Sequence, residues 1–227
     1  MTRAEMYLKN IGNKFEHDGS VRYFPGNTVL SFIDHASPVF TRFQKVRKML
    51  AESGAGECFT MLPDSSIHMT VFEGVCSEWR QPEVWTSLLA QDADLEDVDT
   101  VFEKQFAQVH RLGKVKMQTV GLNNHGGYAI RLKPACDESE EALVRYRDNL
   151  SKALGLRFPG HDAYTYHISI CYGIQAPSGE QDEILNRYEQ EASQDIINNP
   201  VIFELAEPNL TFFRNMFCFE KERFKRP

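Results

Sequence analysis

The chain lacks any apolar run approaching the roughly 20 residues that span a membrane. Its opening residues, Met1-Thr2-Arg3-Ala4-Glu5, lack the apolar core of a signal peptide. Cysteine is sparse: Cys58, Cys76, Cys136, Cys171 and Cys218 are odd in number, scattered, and form no C-x-x-C pair. That pattern argues against a disulfide framework or a structural zinc site and fits reduced thiols in a cytoplasmic protein. Surplus positive charge is missing too. A net charge of −7 over 227 residues argues against a protein that grips long duplexes through many phosphates. It leaves room for a small phosphorylated substrate, which needs only a few local donors. With no membrane partner indicated, a monomer is expected. Hydrophobic (42%) and charged (25%) contents are ordinary for a globular protein.

What the chain does have is one short pattern used twice, about a hundred residues apart. The first copy is Ile67-His68-Met69-Thr70-Val71-Phe72-Glu73-Gly74, and the second is Tyr166-His167-Ile168-Ser169-Ile170-Cys171-Tyr172-Gly173. Residues i and i+2 of a strand share a face, so His68 stands beside Thr70 and His167 beside Ser169. The apolar neighbours then point the other way, into a core. Two matching polar pairs on two matching strands suggest a two-fold site that holds a phosphate between two imidazoles. A third His-x-Ser, His35-Ala36-Ser37, is read as accidental, because Pro38 follows and makes Ser37 a helix N-cap.

The surroundings of the two copies also match. A strand-like run, Asn27 to Ile33, precedes the first, followed by a helix with Val39, Phe43, Val46 and Leu50 on one face and Gly54 as its stop. Before the second come a strand from Tyr128 to Lys133 and a helix opened by an Asp137/Glu140 capping box. That helix carries Leu143, Tyr146, Leu150 and Leu154 and closes at Gly155. Strand start to histidine is 41 residues in one half and 39 in the other. This agreement predicts a strand–helix–strand unit used twice: a first repeat over about 25–76, a helical insert over about 77–112 and a second repeat over about 113–220, all in one domain.

The insert contains Trp79, Trp85, an acidic run (Asp92, Asp94, Glu96, Asp97, Asp99) and a helical pattern through Val101, Phe102, Phe106 and Val109. The acidic run lacks the Gly and terminal Glu of a calcium loop. Lys114 to Leu122 reads as a strand. Ser178 opens a helix bearing Ile184, Leu185, Tyr188 and Ala192, which ends at Asn198-Asn199-Pro200. Val201–Glu207 and Leu210–Glu220, split by Pro208-Asn209, read as a closing hairpin. The basic stretch Lys221 to Arg226 reads as a solvated tail.

On His68-Met69-Thr70, His167-Ile168-Ser169, their separation and the repeat, the chain resembles the two-histidine (2H) phosphoesterase superfamily, which includes the LigT-like cyclic phosphodiesterases. The segment Phe24-Pro25-Gly26-Asn27-Thr28 resembles a microbial branch of unknown function. The resemblance implies an α+β, bilobal LigT-like fold, with two antiparallel sheets facing across a central cleft, helices outside, and an internal pseudo-two-fold. It also implies a phosphodiesterase acting on 2′,3′-cyclic, related cyclic or 2′-5′ nucleotide linkages, free or at an RNA end. His68 and His167 would be acid and base, and Thr70 and Ser169 donors to the phosphate oxygens. That scheme requires no metal and no cofactor. Arg131 is a candidate for a phosphate oxygen and Tyr23 for a base. Tyr172 is assigned by alternation to the core face. A non-catalytic nucleotide-binding module, or a metal-dependent hydrolase using His161, Asp162 and His167, are the alternatives.

Overall fold

The computed structural model describes residues 2–225. In the first half, β1 (Gly26–Phe32) is buried along nearly its whole length, as its Val, Leu and Phe content favours. The helix that follows, Pro38–Ala51, buries Val39, Phe43, Val46 and Leu50. Ser37 caps it, its hydroxyl accepting from the Phe40 amide, with Pro38 in the first turn. It is α2, because a short helix, α1 (Arg3–Leu8), precedes it. Next come β2 (Phe59–Met61), β3 (His68–Cys76) and, in the insert, α3 (Leu95–Phe106).

The second half repeats the order. After β4 (Lys116–Asn124) come β5 (Tyr128–Pro134), α4 (Asp137–Leu154), β6 (His167–Ser169) and β7 (Cys171–Gly173). The rest is α5 (Gly179–Asn198), β8 (Ile202–Glu204), β9 (Asn209–Asn215) and β10 (Cys218–Glu220). The expected capping box on α4 does not form. Cys136 takes the N-cap position without a side-chain bond, leaving Asp137, Glu138 and Glu140 in the first turn, where they complement the helix dipole.

The fold is α+β, but the two sheets expected from the resemblance are joined. Eight strands form one antiparallel sheet in the order β10-β9-β1-β3-β6-β5-β4-β8, and β2 and β7 form a separate ribbon. The join lies at its centre, where β3 meets β6 through the pair Met69↔Ile168. Both side chains are fully buried, so the core runs unbroken beneath the join. α4 packs on β3 and β5, and α5 on β4.

The expected closing hairpin does not exist. β8 pairs with β4 at one edge, whereas β9 crosses to pair with β1, and the hairpin is β9–β10. The reason is the open edge of β1. β9 buries Leu210, Thr211, Phe212 and Phe213 in succession, and the Thr211 hydroxyl donates to the Thr28 carbonyl at 3.1 Å. At the other end of the chain the reverse exchange occurs. α1 packs on β7, Arg3 pairs with Asp182 and Glu189 of α5, and the Tyr7 hydroxyl donates to that of Tyr128 on β5. The first helix thus serves the second half, and the last two strands serve the first.

The insert is anchored from within its acidic run. Buried Asp99 accepts from the Asn27 side-chain amide at 2.8 Å, while Asn27 Oδ1 accepts from the Val75 amide at 3.1 Å. The basic stretch is only partly solvated: Arg223 pairs with Glu103 at 3.2 Å and donates to Thr100 at 2.7 Å on α3, and Arg226 lies outside the described residues. All five cysteines are free thiols. No helix among the described residues is long and apolar enough to cross a membrane.

Candidate active site

Antiparallel pairing of Met69 with Ile168 sets His68 across from Ser169 and Thr70 across from His167. Each imidazole therefore has one hydroxyl two residues along its own strand and another across the ladder. All four side chains line one cavity of about 230 Å³.

Both rings are held the same way. His68 Nδ1 lies 2.6 Å from the Ser66 carbonyl, and His167 Nδ1 lies 3.1 Å from the Thr165 carbonyl. A carbonyl only accepts, so Nδ1 carries the proton in each and Nε2 is left as the basic nitrogen. Burial drives the His68 pKa down to about 4, the Ser66 carbonyl opposing this and His167 adding to it. Burial lowers His167 as well, against the Thr165 carbonyl and with a small push from His125. Phe219 covers the His68 ring at 4.5 Å between centroids.

Two half-buried phenols stand at the hydroxyls. Tyr164 interacts with Thr70 and Tyr172 with Ser169. Burial pushes Tyr172 up to about 12 and Tyr164 further, each offset in part by its hydroxyl partner. Both phenols thus stay protonated at neutral pH, and the Tyr172 hydroxyl donates to Met216 Sδ at 3.8 Å. The assignment of Tyr172 to the core face is corrected here: it lines the cavity. Strict alternation fails because the strand breaks at Ile170, so Ile170 and Cys171 are buried in succession and Tyr172 turns inward.

The same thing happens at the same place in the first copy. Between β1 and β3 the register slips, with Leu30 opposite Thr70 but Val29 opposite Phe72, so Val71 is an extra, bulged residue. Val71 and Phe72 are both buried, and Glu73 is delivered to the cavity. The bulge carbonyls find side-chain donors: Thr28 donates to Phe72 at 3.0 Å and Arg147 donates to Val71. Arg147 is 3% exposed. Its guanidinium also donates to the His161 carbonyl at 3.2 Å and stacks 4.1 Å from the Tyr164 ring.

Sequence reasoning missed Glu73, Arg147, Tyr164 and Lys14. Lys14 lines the cavity with its ammonium over three rings, Trp79, Phe24 and Tyr172, at 5.2, 5.4 and 5.5 Å. Glu73 is raised in pKa by burial, Arg147 opposing. A signal existed for Arg147, an arginine on the apolar face that carries Leu143, Tyr146, Leu150 and Leu154. None existed for Lys14, which arrives from a loop far from either motif.

Other expected residues fall elsewhere. Arg131 stands opposite His167 in the β5–β6 register but is exposed and lines a neighbouring depression of about 490 Å³. Tyr23 is 48% exposed and outside the cavity lining, because its neighbour Phe24 takes the inward position. His161 and Asp162 line the neighbouring depression and not the cavity of His167. With Asp148 they form the one potential metal-binding group among the described residues. Arg157 is ion-paired to both of its carboxylates, and Asp148 also holds His161 Nε2 at 3.1 Å. His35 meets the Asp64 carbonyl and stacks on Phe40, away from the cavity.

This pair of imidazoles and hydroxyls on a doubled strand–helix–strand frame is the pattern of a two-histidine phosphoesterase. The chain belongs to the 2H phosphodiesterase family described as a domain of unknown function (DUF1868), whose model matches residues 14–128. The match spans His68 and Thr70 and stops before His167. In structure the chain is similar to a conserved protein of unknown function, ATU0111, from Agrobacterium tumefaciens str. C58. That crystal structure superposes with a TM-score of 0.85 at 22% identity, over 97% of each chain, which establishes a common fold. No curated protein matches the sequence.

Proposed function

We propose that the chain hydrolyses cyclic or 2′-5′ phosphodiesters of nucleotides, 2′,3′-cyclic nucleoside phosphates first among them, with the two histidines as base and acid and no metal in the step. The observation that carries this reading is the matched pair of imidazoles, each with Nδ1 fixed by a backbone carbonyl two residues back and Nε2 left for the cavity. Neutral His68, whose pKa is driven lowest, takes a proton from water at Nε2 as the oxygen attacks phosphorus. Protonated His167 gives its Nε2 proton to the departing ribose oxygen, and a phosphomonoester remains. Thr70 and Ser169 donate to the non-bridging oxygens, with Tyr164 and Tyr172 standing beside those hydroxyls. An anionic phosphodiester between the rings favours an imidazolium and so charges His167 on binding. The aromatic wall of Phe24, Trp79, Phe213 and Phe219 offers a stacking surface for a base.

The test is turnover of the four nucleoside 2′,3′-cyclic phosphates in EDTA, beside His68→Ala/His167→Ala. Turnover in EDTA that disappears in the double variant is expected. Activity abolished by the chelator and restored by a divalent ion would remove the metal-free step. Mononucleotide binding without turnover would favour a binding module.

A further inference from the structure

We propose that Lys14 forms a second anion-binding position in the histidine cavity, so that the preferred substrate carries a further phosphate beside the phosphodiester. The inference rests on the reading of the two histidines as the site of the first phosphate, and deepens it by naming a substrate class.

Three observations converge on Lys14. First, its side chain lines the same cavity as His68 and His167, although it comes from a different part of the chain. Second, among the described residues no carboxylate lies within ion-pair distance of its ammonium; most of the arginines, by contrast, are paired with acids. Glu73, the one carboxylate lining the cavity, is not its partner either. Third, the ammonium is caged by Phe24, Trp79 and Tyr172, which fix its place without neutralising its charge.

A half-buried cation without an anion is held at a cost, and the cost is returned when an anion arrives. Removal from water depresses the free ammonium, with Cys76 opposing, and sharpens its preference for an incoming anion. Lysine acts here as a point charge, suited to a phosphate monoester or a diphosphate rather than to planar, forked recognition. The chemistry selected is therefore a nucleoside cyclic phosphate that bears another phosphate, such as one on its 5′ oxygen.

The test compares nucleoside 3′-monophosphate with nucleoside 3′,5′-bisphosphate by calorimetry, on wild type, Lys14→Met and Lys14→Arg. Methionine keeps the apolar stem over the rings and removes the charge. The bisphosphate should bind wild type about tenfold tighter or more. The preference should collapse to within about twofold in Lys14→Met and return in part in Lys14→Arg. A wild-type protein that does not distinguish the two ligands overturns the proposal, whatever the variants do. A preference that survives in Lys14→Met overturns it as well and leaves Lys14 a cap on its rings. Turnover of the 2′,3′-cyclic phosphates with and without a 5′-phosphate separates the two readings. Hydrolysis of both at equal kcat/KM removes the second anion position and keeps the hydrolase. A Lys14-dependent bisphosphate preference with no hydrolysis does the reverse.

Discussion

The two copies of the histidine strand reach the same geometry by different means. In both, His and hydroxyl share a face, Nδ1 is tied to the carbonyl two residues back, the strand is interrupted three residues after the His, and Gly follows at the sixth. In β3 the interruption is a bulge at Val71, whose exposed carbonyls are taken by Arg147 and Thr28. In β6 it is a departure. Ile170 gives its carbonyl to the Leu62 amide at 3.0 Å, and the chain leaves the large sheet to pair as β7 with β2. The glycines serve the same need in both. A Cβ at Gly74 would lie 2.2 Å from the Asn27 carbonyl oxygen, and one at Gly173 would lie 2.5 Å from Tyr7 Cβ. The fifth residue after each His turns into the cavity, but one is Glu73 and the other Tyr172. The local backbone pattern repeats around the two histidines, while the side chains delivered to the cavity at the two ends differ.

Four measurements break or sharpen this comparison. The largest effect is expected at the histidines: His68→Ala and His167→Ala should each lower kcat/KM by about 10²–10⁴-fold. They should differ in pH dependence. Both pKa values lie below the ordinary 6.5, and that of His68 is about 4, so kcat/KM should peak on the acid side of 6.5. His68→Ala should erase the low-pH limb and His167→Ala the high-pH limb; equal loss of both limbs in either variant would refute the division of roles.

Next is the bulge. Arg147→Met leaves the Val71 and His161 carbonyls buried without donors and should cost about 2–4 kcal/mol in urea unfolding. Lysine, lacking the fork, should restore little. The second copy depends on no such arginine. Unchanged unfolding would show that the bulge holds without its anchor.

The hydroxyls come third. Thr70→Val and Ser169→Ala should each cost about tenfold in kcat/KM with little change in fold stability. Tyr164→Phe and Tyr172→Phe, each removing a phenol beside one of these hydroxyls, should lower the rate in the same sense but by less.

The smallest effect is thermal. The folded His68 pKa lies below its unfolded value, so its stabilising contribution is complete above pH 6.5 and is lost as pH falls toward about 4. Tm should fall by a few degrees between pH 7 and pH 5, and less so in His68→Gln. An identical fall in that variant would assign the effect to other groups.

Much of this was legible in the sequence because it depends on regular periodicity. The buried face of α2, the Ser37 cap with Pro38 behind it, the strand from Tyr128, and the shared face of His68, Thr70, His167 and Ser169 all follow from periods of 3.6 or 2. The misses occur where a period breaks. Alternation carried past Val71 or Ile170 assigns Glu73 and Tyr172 to the wrong face, because one extra residue inverts every later side chain. Turn chemistry misled at Pro208-Asn209: the turn signal is local, but β1 offered β9 a better partner than β8 did. At α4, Cys136 occupied the cap position and displaced the box read at Asp137. Lys14 and Tyr164 were invisible because only tertiary structure brings a loop residue to a site.

The exchange of end segments has a consequence for how the molecule is made. β1 and β3 are synthesised early, yet one edge of β1 stays open until Asn209–Asn215 arrives, a contact between Thr28 and Thr211 separated by 183 residues. Arg3 waits equally long for Glu189, 186 residues away. Closure of such distant pairs is slow, and until then apolar strand edges face the solvent of a crowded cell. A chain bearing only the first histidine is therefore expected to expose the edge that β9 covers in the finished fold. The wall of the cavity that Phe213 supplies forms only once Asn209–Asn215 has joined β1.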